Sequence, residues 1–155
     1  MSIKPELVER DEGGYWMHSQ FPRTEVDSEV EGWLSKNRLE GRFIFMESDI
    51  DEDDHPAYDR YFHVGEPDFH DWEPSQPEGQ GWFIGGIYET ESGPVCAWLR
   101  AESEGLKEIF LKAHKEAEKA AFEYFRACDV GEERIQAGEI YQRIRTATYI
   151  GVRYE

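Results

Sequence analysis

Gly81-Trp82-Phe83-Ile84-Gly85-Gly86-Ile87-Tyr88-Glu89-Thr90-Glu91-Ser92-Gly93-Pro94-Val95-Cys96-Ala97-Trp98-Leu99-Arg100 is the stretch that decides the fold. Its two aromatic and β-branched runs, 81–88 and 95–100, flank six residues that include Gly93 and Pro94. That is the pattern of a β-hairpin. Gly85-Gly86 in mid-strand predicts a bulge, or the close approach of another backbone. Directly downstream, residues 103–127 predict a long helix capped by Ser103. Leu106, Ile109, Phe110, Ala113, Ala117, Ala120, Ala121 and Tyr124 form one apolar stripe along it, and Glu108 and Lys112 pair at i,i+4 on another face. The alanines suit close packing against a sheet. After Gly131, residues 132–144 predict a further helix and 149–154 a terminal strand.

Upstream, Tyr15-Trp16-Met17 reads as a short strand between Gly13-Gly14 and Pro22. A helix follows from Asp27 or Ser28, with Ser28 and Glu31 as a capping box and Val30, Trp33 and Leu34 at apolar spacing, ending by Gly41. Arg42 to Glu47 is β-prone. Its continuous apolar centre, Phe43 to Met46, predicts burial on both faces. Together these elements predict one α+β domain over residues 1–155. Its mainly antiparallel sheet has four to five strands, with one long and one or two shorter helices packed on it.

Residues 49–80 differ from both flanks. They hold four prolines (Pro56, Pro67, Pro74 and Pro77) and nine Asp or Glu between 49 and 71, yet also Tyr58, Tyr61, Phe62, Phe69 and Trp72. Proline and glycine exclude long regular elements, while the rings argue against a solvated linker. The expectation is an ordered acidic loop pinned to the core by its aromatics, with a helical turn near Ala57–Phe62. Trp72, among prolines, is expected to pack rather than to present itself to a ligand.

The chain carries 34 acidic and 17 basic residues, a net charge of -17. Residues 1–80 hold 21 acids and 7 bases, and 81–155 hold 13 and 10. Such a front half repels nucleic acid and anionic membranes and attracts basic proteins. No apolar run approaches the length of a membrane span, and MSIKPELVERDEGG lacks the marks of a secretory signal, so a cytoplasmic protein with reduced Cys96 and Cys128 is expected. An EF-hand loop from Asp49 would need glycine sixth and glutamate twelfth, where Asp54 and Arg60 stand. His18, His55, His63 and His70 follow no metal-ligand spacing. Neither cysteine has a motif-paired histidine, and no GxSxG or phosphate-binding glycine pattern occurs. The residues thus point to no catalysis, metal or cofactor.

Trp72-Glu73-Pro74-Ser75-Gln76-Pro77-Glu78-Gly79-Gln80-Gly81-Trp82-Phe83 resembles a family of small bacteriophage and prophage proteins whose members read roughly W-x-P-x-P-P-x-G-x-G-W-F. The acidic turn Glu89 to Pro94 before Val95–Trp98, the early Tyr15-Trp16-Met17-His18 and the segment His55 to Phe62 are similar to that family as well. The likeness spans about residues 14–100. Gln76 stands where proline is usual, and Gly85-Gly86 interrupts the strand. The resemblance implies a cytoplasmic phage accessory protein and no particular reaction.

Charge and context together lead to a non-enzymatic inhibitor of a nucleic-acid-handling defence complex, of anti-CRISPR or anti-restriction type. It would present a nucleic-acid-like negative surface to a host protein with a basic nucleic-acid-binding surface, with no direct contact to nucleic acid or membrane. The expected contacts are Glu25, Asp27, Glu29, Glu31, Glu47, Asp49, Asp51, Glu52, Asp53, Asp54 and Asp59. The alternatives are a scaffolding protein or homo-oligomer with an aromatic interface, and an enzyme with a site in the 49–80 loop.

Overall fold

Alternating apolar residues on four segments build one antiparallel sheet, and the computed structural model describes residues 2–147 around it. The strands are β1 (Trp16–Met17), β2 (Leu39–Phe45), β3 (Phe83–Thr90) and β4 (Gly93–Ala101), in the order β1-β3-β4-β2. The helices are α1 (Asp27–Lys36), α2 (Met46–Asp49), α3 (Pro56–Tyr58), which runs into a π-helical turn at Asp59–Val64, α4 (Glu102–Ala127) and α5 (Glu132–Thr146). The fold is α+β, as the sequence predicts. The chain forms two compact units, one ending at Gly105 and the other beginning at Leu106.

The hairpin β3–β4 forms as expected, and its turn is tighter than the six residues allowed for. Only Glu91 and Ser92 lie between the strands, and Gly93 takes a φ of +95°. The Thr90 hydroxyl donates to the Gly93 carbonyl at 2.9 Å and accepts from the Ser92 N–H at 3.2 Å. The double glycine marks a bulge: the register shifts between Ile84 and Gly86. A Cβ on Gly85 would lie 2.5 Å from Leu99 Cδ1, so the strand passes the core there with no room for a side chain.

β4 is buried along all but its last residue because both sheet faces are covered from within residues 1–105. On one face Cys96, Trp98 and Ile87 pack with Met46, Ala57, Phe69 and Trp72. On the other, Ala97 and Leu99 pack with Phe21 and with Val30, Trp33 and Leu34 of α1. The expected aromatic loop is therefore a real layer, holding Phe69 and Trp72 without exposure. Burial pushes the Cys96 thiol up to about 12, the state of a packed and unreactive side chain.

Four expectations at element level need correction. β2 is not buried on both faces. Among the described residues it is an edge strand paired only with β4, and Arg42 and Phe43 are exposed. A continuous apolar run cannot report which strand will be last in the sheet. α1 starts at Asp27, as expected, but Val26 takes the N-cap and no side chain is bonded there. Ser28 and Ser103 sit inside first turns instead of capping them. The helix α1 ends before Gly41, as expected, with Asn37 as its C-cap, whose side-chain amide donates back to the Trp33 carbonyl at 2.8 Å. Lastly, Leu106, Ile109 and Phe110 of the α4 stripe are exposed. The strand expected at 149–154 lies outside the described residues.

Residues 106–146 form a helical hairpin. His114 Nε2 lies 2.9 Å from the Ile144 carbonyl, the Phe122 and Tyr141 rings are 5.2 Å apart, and the Tyr124 hydroxyl donates to Glu133 at 2.6 Å. These pairs run in opposite senses along α4 and α5, so the helices are antiparallel.

Candidate functional site

The acidic layer owes its shape to side chains, since residues 65–82 contain no regular element. Arg10 reaches in from the N-terminal segment. Its Nε donates to the Gly14 carbonyl at 2.8 Å, Nη1 to that of Trp72 at 2.5 Å and Nη2 to that of Phe69 at 2.7 Å. One guanidinium thus satisfies three carbonyls that have no ladder to join. Gly14 has a φ of +99°, and a Cβ there would lie 2.8 Å from the backbone of His70, so the Arg10 clamp closes on a position only glycine fits.

A second tie starts at Asp49. Its Oδ2 accepts from Trp72 Nε1 at 2.8 Å and from the Ser75 N–H at 3.0 Å. A third is the fork of Arg60 on Asp71, at 2.9 and 3.0 Å, with the Asp68 carbonyl at 3.2 Å from the same guanidinium. The hydrogen bonds from Arg60 hold the Asp71 carboxyl down at about 2. A fourth lies where the layer meets β3: the hydroxyls of Tyr61 and Tyr15 both donate to the Glu89 carboxylate. Those bonds lower the Glu89 pKa, while burial and then Glu89 itself push Tyr15 up to about 12.

The Arg60–Asp71 tie has a pH signature. Asp71 is depressed in the folded state against about 3.9 in an unfolded chain. Its contribution is therefore complete above about pH 4 and is lost as pH falls through the folded value near 2. Unfolding free energies of the native chain and of Arg60→Met, from urea titrations, are expected to differ by about 1 kcal/mol at pH 6 and to converge below about pH 2. A gap that stays constant with pH would show that the fork contributes through packing alone.

Ten of the eleven expected contact carboxylates are exposed: Glu25, Asp27, Glu29, Glu31, Glu47, Asp51, Glu52, Asp53, Asp54 and Asp59. Asp49 is half-buried and turned inward to the Trp72 indole, so its role is to shape the layer. The ten do not form one strip. Asp27, Glu29 and Glu31 ride on α1, which packs on the sheet face of Ala97 and Leu99. Glu47 to Asp59 belong to the layer on the opposite face, with Cys96 and Trp98. The edge strand β2 lies between the two groups, since α1 leads into it and α2 leaves it. Glu66, Glu73 and Glu78, further along the layer, are exposed as well and extend the second group. Their wider spacing between prolines hid them from a search for charge runs.

The chain has no counterpart among the proteins it was compared with. No family model, curated protein or solved structure matches it. The functional reading therefore rests on this layer and its charges.

The histidines serve local contacts. His18 Nε2 lies 2.7 Å from the Lys4 carbonyl, His55 accepts from the Ala57 N–H at the start of α3, His63 lies between Asp59 and Glu52, and His70 is beside Asp68. Among the described residues no three His, Cys, Asp or Glu side chains gather in a metal-holding group. No helix of the described residues is long and apolar enough to cross a membrane.

Proposed function

We propose that the chain is an acidic binding protein that occupies the basic nucleic-acid groove of another protein, and that the layer from Glu47 to Glu78 makes the principal contact. One observation carries this reading. The layer holds twelve carboxylates and a single lysine or arginine, and that residue, Arg60, is bound to Asp71 and Asp68. Most of the remaining carboxylates project outward from a scaffold tied by Arg10, Asp49 and buried rings, so their positions are set before a partner arrives. Pre-set charges lose little freedom on binding, which favours affinity. Duplex DNA presents one charge per about 1.7 Å of axis to the same kind of groove. The phage-type context of the Trp72–Phe83 segment makes a defence nuclease or CRISPR effector the target class of this proposal.

Competition with nucleic acid tests it. The tagged chain, incubated at low salt with a bacterial lysate containing such effectors, should retain proteins that duplex DNA then displaces. The variant Asp51→Lys/Asp53→Lys/Asp54→Lys should bind them on the order of a hundredfold more weakly, since each exposed pair contributes up to about 1 kcal/mol and reversal adds repulsion. All three side chains are exposed, so the variant should keep the circular dichroism of the native chain. Retention that neither DNA nor the triple reversal disturbs would refute the proposal.

A further inference from the structure

The cations of the second unit gather on one flank of its helical hairpin. Lys112, Lys115, Lys119 and Arg126 rise along α4 in steps of three, four and seven, with Phe122 in the gap, so all five share one side of the helix. The Phe122 and Tyr141 rings, 5.2 Å apart, put this flank beside α5. Arg145, one turn beyond Tyr141, continues it on that helix. The Tyr124–Glu133 hydrogen bond marks the opposite flank. Two acids border the cations: Glu108, one turn before Lys112, and Glu118, which is half-buried.

Three features set this flank apart. The first is local charge. Residues 1–105 hold 25 acids and 8 bases, the whole of the net -17, while 106–155 hold nine of each, and five of those nine bases stand here. The second is that its cations are unpaired. In the first unit Arg10, Arg42, Arg60 and Arg100 each meet a carboxylate. Among the described residues no salt bridge or hydrogen bond engages the exposed Lys112, Lys115, Lys119 or Arg145, although Glu116 and Glu123 stand one turn beyond Lys112 and Lys119. The third is a ring among the cations. Phe122 is 38% exposed, and the Arg126 guanidinium sits 5.7 Å from its centroid.

We infer that this flank binds single-stranded nucleic acid, with phosphates along the lysine row and a base stacked at Phe122. The ring chooses this occupant. An acidic protein surface would satisfy the cations and leave the exposed face of Phe122 unused, while an unpaired base has a flat π-face to cover it. A duplex keeps its bases stacked inside and offers the ring nothing. The row from Lys112 to Arg126 is about 21 Å long at 1.5 Å per residue, and its cations recur at nearly every turn to follow a phosphate backbone. At physiological ionic strength, screening over about 8–10 Å makes local charge, and not the net charge of the chain, decide what docks. The inference does not rest on the acidic-layer reading, since none of its residues belongs to that layer.

Fluorescence anisotropy of a labelled oligothymidylate of about 15 nucleotides, titrated with the full chain at about 0.1 M salt, reads this out. The native chain should bind with a Kd of about 1–100 μM, the range of non-specific contacts to nucleic acid. Lys115→Glu/Lys119→Glu should weaken binding on the order of a hundredfold, because two phosphate contacts become repulsions. Both lysines are exposed and glutamate is a good helix former, so circular dichroism should be unchanged. Should the reversal disturb the helix, Lys115→Gln/Lys119→Gln adds no repulsion and should still cost about tenfold. Phe122→Leu keeps an apolar neighbour for Tyr141, removes the π-face and should also cost about tenfold. The variant Asp51→Lys/Asp53→Lys/Asp54→Lys leaves the flank intact and should bind the probe at least as tightly as the native chain, so this inference and the acidic-layer reading fail separately. No binding by the native chain up to about 0.1 mM, a duplex bound as tightly as the single strand, or binding that the lysine variants or Phe122→Leu leave unchanged would each overturn the inference.

Discussion

Trp72→Ala is expected to destabilise the protein by about 3–5 kcal/mol, the range for removing a fully buried tryptophan. The ring has no exposure and packs 6.4 Å from Phe69 in the cluster that includes Cys96 and Trp98. Its loss opens a cavity between the acidic layer and the sheet. The damage extends beyond the cavity, because Asp49 loses the indole N–H and keeps only the Ser75 amide on the same oxygen. A domain of this size has about 5–15 kcal/mol in all, so the variant should unfold at a much lower urea concentration. Trp72→Phe separates the two contributions. It restores most of the apolar volume but leaves Asp49 without its indole, and it should recover roughly half the loss. If Trp72→Ala cost less than about 1 kcal/mol, the 49–80 layer would not belong to the cooperative unit of the sheet.

Arg10→Met should be nearly as damaging, at about 3–4 kcal/mol. A hydrogen bond to a charged donor is worth about 1.5–3 kcal/mol, and Arg10 makes three to backbone carbonyls. The contributions are not additive, because they share one side chain and one loop. Methionine keeps the aliphatic stem and removes only the donors. Arg10→Lys should rescue little, since an ammonium cannot reproduce a planar fork across three acceptors. Urea unfolding measures the loss, and limited proteolysis locates it. Cleavage between 66 and 80 should accelerate well before the β3–β4 hairpin opens, because two of the three carbonyls belong to Phe69 and Trp72. Equal acceleration over the whole chain would show that Arg10 supports the fold generally instead of closing this layer.

The parts of the molecule legible in its sequence are those where a local pattern decides the outcome. Alternation and a glycine turn determine the hairpin, Gly85-Gly86 its bulge, and rings among prolines a loop that must be pinned. Contacts across long separations left no such trace. Arg10 lies 59 and 62 residues from two of its acceptors, which are backbone groups of no particular residue type. Asp49 looked like one more outward carboxylate in an acidic run, since only the folded chain brings the Trp72 indole to it. Phe43 to Met46 and the α4 stripe failed because periodicity reports that a surface is apolar but not what will lie against it. Of the candidate site, the list of carboxylates was readable, while their division between two faces depended on the side of the sheet each helix takes.

The ties of the acidic layer and its outward charges are largely different residues. Arg10, Asp49, Arg60, Asp71, Phe69 and Trp72 hold the layer in place. Glu47, Asp51, Asp53, Asp54, Glu66 and Glu78 are exposed. Substitutions in the second set leave the first undisturbed, so the outer face can drift residue by residue without the scaffold being selected anew. A lineage under pressure from a changing opponent would accumulate its differences there, with the six holding residues constant beneath them.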